Sequence, residues 1–143
     1  MNRRFQGKVI LVTGAAGGLG RAVARRIVAE GGSLVLSDLH AAVLQDVATE
    51  IRAAAPPGSA PELELLPGDA GETDFGRRLA EGALARFGRI DGFVPCAGII
   101  RFKPVLEIDA AQWDAIMQLN LRGTFFAVQA VAAAMLARGC RGS

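Results

Sequence analysis

A chain of 143 residues, 51% hydrophobic and 21% charged, is long enough for one domain with a substantial core. Its net charge of +2, with scattered basic residues and no tyrosine, leaves no electrostatic footprint for a nucleic acid. No apolar run approaches the roughly 18 residues that span a bilayer, no secretory pattern precedes Val9, and Cys96 and Cys140 offer neither metal-ligand spacing nor a disulfide framework, so a cytoplasmic setting is expected.

In chain order, the first expected strand is 8–13, mostly β-branched or apolar, as a strand buried on both faces should be. It breaks into Gly14-Ala15-Ala16-Gly17-Gly18-Leu19-Gly20, and a helix over 18–31 follows at once. Gly14, Gly18 and Gly20 remove side chains where the backbone turns sharply and approaches a ligand. The helix N-terminus then presents N–H groups and a positive dipole end to a pyrophosphate. A second strand, 33–38, ends on Asp38, 18 residues after Gly20. An acid about 20 residues beyond the glycines is placed to accept hydrogen bonds from an adenosine ribose. The competing role for Asp38 is the N-cap of a helix over 40–55, and one carboxylate can serve both.

Ala55–Pro61, with three prolines, is a loop; a strand over 62–67, a helix over 72–87, a strand over 91–95 and a helix over 109–137 complete the chain. This alternation predicts an α/β fold: a Rossmann-like, doubly wound parallel sheet of strand order 3-2-1-4, in a single domain 1–143 that is truncated after the fourth helix. In that helix Trp113, Met117 and Leu121, then Phe125, Val128, Ala132 and Met135, form an apolar band expected to face the core, with a subunit contact as its other use. Arg138–Ser143 ends in a glycine-rich turn with no strand beyond. The outer edge of Asp91–Pro95 is therefore expected to be unpaired, and the chain to associate with itself through that edge or the fourth helix.

Four segments together resemble the short-chain dehydrogenase/reductase family. Thr13-Gly14-Ala15-Ala16-Gly17-Gly18-Leu19-Gly20 is similar to its T-G-x-x-x-G-[IL]-G cofactor motif, and Gly68-Asp69-Ala70 to the acidic turn that contacts adenine. Pro95-Cys96-Ala97-Gly98 stands where the family has N-N-A-G, and Asn120-Leu121-Arg122-Gly123-Thr124 resembles N-[LV]-x-G-[TS]. The resemblance implies a nicotinamide dinucleotide, NAD, with Leu19 under the nicotinamide side, Asp38 on the ribose, Asp69 and Ala70 at the adenine, and the small Ala97 and Gly98 allowing close approach. It implies that Asn120 belongs to a catalytic tetrad, in which the family's asparagine helps hold a water in a proton relay. The implied reaction is hydride transfer between nicotinamide and an alcohol/ketone pair, with no metal.

Two departures stand against the pattern. Pro95 and Cys96 replace asparagines whose amides tie neighbouring strands, and proline lacks a ladder N–H. Cys96 reads as a small buried residue rather than a reactive thiol, since no base is near it in the sequence. The family's serine and its Y-x-x-x-K pair are missing, so the chain alone is expected to be catalytically incomplete. The alternative is a non-catalytic nucleotide-binding or oligomerisation module. A reading frame that continues past Ser143 into a serine and a Y-x-x-x-K separates the first reading from the second.

Overall fold

The computed structural model describes residues 3–143. Four parallel strands, β1 (Val9–Thr13), β2 (Ser33–Ser37), β3 (Leu63–Leu65) and β4 (Gly92–Pro95), form one sheet in the order β3-β2-β1-β4. Helices α1 (Gly18–Ala29), α2 (Ala41–Ala53) and α3 (Phe75–Phe87) connect them; α4 (Ala110–Met117), a π-helical turn (Gln118–Gly123) and α5 (Thr124–Ala137) follow β4. Strand alternation sorts the core into two layers. Ile10, Val12, Leu34 and Leu36 pack under α1 and α2, against Ala24, Ile27, Leu44, Val47 and Ile51. Val9, Leu11 and Val35 pack on the other face, against Phe75, Leu79, Val131 and Met135 of α3 and α5. Burial on both faces is why β1 and β2 read as continuous apolar runs. Because β2 and β4 flank β1 on opposite sides, the chain reverses direction across the sheet there and opens a crevice beyond the strands' carboxyl ends.

Three expectations are corrected. The last helix is not one regular α-helix: residues 118–123 widen into a π turn, the kind of irregularity that recurs at functional sites. Most of its apolar band faces solvent: Trp113, Leu121, Phe125 and Val128 are exposed, as is Ala132, while Met135 at its end is buried as expected. The buried face is Gly123, Ala127, Val131 and Met135. Small residues decide this: a Cβ on Gly76 of α3 would lie 2.4 Å from Ala127 Cα, so the two helices touch where side chains are absent. By length and composition alone, Ala110–Ala137 suffices to cross a bilayer; polar residues such as Gln112, Asp114 and Arg122 hid this from a reading of unbroken runs.

The third correction concerns the outer edge of β4, which is not bare. Phe93 N–H donates to Ser143 O (3.0 Å) and Ser143 N–H to Asp91 O (3.3 Å), so the tail lies alongside β4 where a fifth strand would run. Strand alternation then places the Pro95 nitrogen on the same outer side as that of Phe93, and its missing N–H costs β1 nothing.

Two carboxylates anchor the amino ends of these strands. Glu30 accepts hydrogen bonds from Arg4 (2.5 and 2.8 Å) and from Arg26, which bring its pKa down to about 2. Burial pushes Asp91 up, but hydrogen bonds from Arg89 (2.7 and 2.5 Å) and from Val9 N–H (2.9 Å) outweigh it and hold the carboxyl below its ordinary value. Both groups are more acidic folded than unfolded. Their stabilisation is therefore complete above the ordinary Glu value of 4.5 and is lost as pH falls toward about 2. Thermal melting is expected to give a flat midpoint from about pH 7 to 5 and a decline below, shallower in Glu30→Gln. A variant that declines as steeply as the wild type contradicts this assignment.

Candidate functional site

The crevice beyond β1, β2 and β4 holds a cavity of about 350 Å³. Thr13, Gly14, Asp38, Asp69, Ala70, Ala97 and Gly98 all line it, so seven of the ten residues singled out for cofactor contact converge from four separate segments. Gly18, Leu19 and Gly20, in the first turn of α1, do not line it. Leu19 is 69% exposed. A larger groove of about 1110 Å³ borders α1, the outer side of β4 and the tail, and contains none of these motif residues.

The glycine turn is built by close approach. Gly14 has φ +62°, and a Cβ there would meet the Cys96 and Ala97 backbone at 2.7 Å; a Cβ on Gly20 would stand 2.2 Å from Gly14 O. A Cβ on Gly18 meets nothing within 4 Å, so the space beside it is open. Gly17 caps α1 without any side-chain hydrogen bond, and no acid occupies the first turn. The leading N–H groups thus keep a positive end aimed past the glycines, which fits a pyrophosphate.

Asp38 does not cap α2. That position belongs to His40, with no side-chain cap bond. Its Oδ2 accepts the Ala16 N–H (2.9 Å) and its Oδ1 the Leu39 N–H (2.8 Å), leaving further lone pairs on both oxygens. The carboxylate is therefore fixed in orientation at the rim before any hydroxyl reaches it. Arg21 completes this bracket: its Nε donates to Ala16 O (2.9 Å) and its Nη1 to Glu50 (2.9 Å). Sequence reasoning missed Arg21. The available signal was a cation in a first helical turn, where the dipole disfavours it unless another contact compensates.

On the opposite rim, Thr13 Oγ1 accepts the Ala97 N–H (3.3 Å), one of the ties that the Pro95-Cys96 departure put in question. Asn120 supplies another: its Oδ1 accepts Ile99 N–H (2.9 Å) and its Nδ2 donates to Ile99 O (2.8 Å). The side chain of Asn120 thus clamps the turn after β4 from outside the cavity. Asp69 Oδ1 accepts Gly71 N–H (2.8 Å), and Gly68 N–H donates to Asp38 O (3.0 Å), which joins the exits of β3 and β2. Cys96 is half-buried at the cavity wall rather than fully buried as expected, and burial pushes its thiol above the ordinary value. Among the described residues no group of three or more His, Cys, Asp and Glu is placed to hold a metal.

Comparison with known proteins bears on this geometry directly. The family model described as short chain dehydrogenase matches residues 8–143. The (3R)-3-hydroxyacyl-CoA dehydrogenase of Mus musculus is 38% identical over 146 residues, covering 98% of this chain and 55% of that protein. An NAD+-bound xylitol dehydrogenase superposes with a TM-score of 0.87 at 27% identity, over 96% of this chain and 52% of its own. A metagenomic short-chain oxidoreductase in complex with NADP gives 0.84 at 35% identity, over 96% and 60%. The chain thus spans about half the length of the relatives it matches.

Proposed function

Because this chain belongs to the short chain dehydrogenase family, we propose that it is the nucleotide-binding half of an NAD-dependent oxidoreductase acting on an alcohol/ketone pair. The observation that carries this reading is the preset Asp38 carboxylate facing a glycine turn whose helix N-terminus is uncapped. When bound, the dinucleotide supplies or accepts the hydride. The chain's own residues hold it. The α1 N–H groups would take the pyrophosphate, Asp38 the ribose hydroxyls, and Asp69 with Ala70 the adenine; Ala97 and Gly98 would leave room for the nicotinamide half. NAD is favoured over NADP because Gly17 and Leu39, where a basic partner for a 2′-phosphate would stand, carry no charge. Among its structural neighbours one is bound to NAD+ and another to NADP, so the preference is argued from these residues and not from the fold.

Asn120 would orient the turn at the reacting end and serve a proton relay, but no tyrosine exists in the chain to give or take the proton. Positioned proton transfer contributes about 10²–10⁴-fold in rate. We therefore expect no turnover from the isolated chain. NADH oxidation across a broad carbonyl panel should stay at the level of an Asn120→Ala control while NADH binding persists. Turnover above that control contradicts the assignment of the chemistry.

A second reading, a non-catalytic nucleotide-binding or oligomerisation module, is favoured by exposed Trp113, Phe125 and Leu136 along α4 and α5. Under either reading we place the chain in the cytoplasm, consistent with two free cysteines, and expect self-association through the α4–α5 face.

A further inference from the structure

The π turn touches both rims of the crevice. Its first residue, Gln118, donates from Nε2 to Gly71 O at 2.6 Å. Its last, Gly123, lies so close to the same loop that a Cβ would stand 2.1 Å from Ala70 O. Between them Asn120 holds the backbone of Ile99 on the other rim. Gly71 is the residue whose N–H orients the Asp69 carboxylate, at 2.8 Å. The peptide that carries this N–H is packed against Gly123, and the bond from Gln118 holds the next peptide, so Gly71, which has no side chain to limit its φ and ψ, is restrained on both sides.

We propose that Gln118 is a positioning residue for the adenine end of the bound nucleotide. It holds Asp69–Ala70–Gly71 from the π turn, separately from the Asn120 clamp on the opposite rim. The inference rests on the nucleotide-site reading above. It predicts that removing the Gln118 donor weakens adenine-nucleotide binding without loosening the turn that Asn120 holds.

The test uses the full chain with AMP and NAD as probes, by calorimetry, together with amide hydrogen exchange of the free protein. Gln118→Glu keeps the size but sets a carboxylate against the Gly71 carbonyl. Gln118→Met removes the donor without adding charge. Gln118→Lys restores a donor of similar reach. The Glu and Met variants should bind AMP roughly 5- to 10-fold more weakly, the effect of one lost hydrogen bond. Exchange should quicken at residues 68–72 and stay unchanged at 97–99, and the Lys variant should recover most of the affinity. Wild-type AMP affinity in both donor-free variants, with unchanged exchange at 68–72, overturns the proposal. Equal quickening on both rims also overturns it, since that marks general loosening. Failure of the wild type itself to bind AMP or NAD is a separate result that removes the nucleotide-site reading.

Discussion

Gly20→Ala is expected to abolish NAD binding, with at least a 100-fold loss of affinity, and to lower the melting temperature by roughly 6–12 °C. The added Cβ would sit 2.2 Å from Gly14 O, 2.8 Å from Gly14 C and 2.9 Å from Ala15 Cα. All three are backbone atoms of the turn itself, so no side chain can swing aside. Either α1 retreats from the sheet or the turn deforms, and overpacking of this kind costs about 3 kcal/mol. For a chain of this size each kcal/mol shifts the midpoint by about 2–4 °C. Binding suffers more than folding, because the same displacement moves the α1 N–H groups away from where an anion would sit. Gly18→Ala separates the two effects. Its Cβ meets nothing within 4 Å, so the fold should tolerate it, while a ligand in that open space should not. Gly18→Ala with native stability and weakened NAD binding is the expected pair of results; undiminished NAD affinity in both variants contradicts the placement of the pyrophosphate.

The second large effect is expected at Asp38. The wild type should bind NAD roughly 100-fold more tightly than NADP, since a 2′-phosphate both repels the carboxylate and removes a ribose hydroxyl it would accept from. Asp38→Asn sheds the charge and keeps one acceptor oxygen, giving up one of the two backbone hydrogen bonds that the carboxylate accepts. Its preference should collapse to within about threefold, as the repulsive part disappears. Asp38→Ala cuts the bonds to both Ala16 and Leu39 N–H, so the glycine turn is left with the Ala15 N–H bond to Ser37 O as its tie to β2, and NAD affinity should fall further, by about tenfold for one charge-assisted hydrogen bond. Parallel titrations with both cofactors read these values. Tighter binding of NADP than NAD by the wild type would reverse the cofactor assignment.

The sheet was readable in the sequence because burial on two faces forces unbroken apolar strands, and Val9–Thr13 and Ser33–Ser37 fall where that pattern places them. The glycine turn and Asp38 were readable because spacing along the chain encodes them. The Asp38 bond to Ala16 was not, since a hydrogen bond between residues 22 apart leaves no periodic trace. The α5 segment misled for a different reason. It is apolar nearly all round, so periodicity cannot select a face. The choice is made by fit: Ala127 and Gly76 allow the helices to touch, and the bulky Phe125 and Val128 are left outside. Gln118 carries no sequence signal of its role, because only the π turn and the neighbouring loop give its amide a partner. The tail's pairing with β4 was equally hidden: Gly142 and Ser143 carry no strand signal, and they are placed by two backbone hydrogen bonds and by Gly142's close approach to Asp91 and Met135.

The central claim is that the crevice beyond β1 and β4 is a dinucleotide site already formed in this chain. Calorimetric titration of NAD into the chain at neutral pH, repeated in the presence of excess AMP, tests it most directly. The account predicts saturable binding of one NAD per chain, competed by AMP and accompanied by a raised melting temperature, about 2.7 kcal/mol of added stability at a hundred times the dissociation constant. A folded chain that takes up no NAD, or takes it up without competition from AMP, contradicts it.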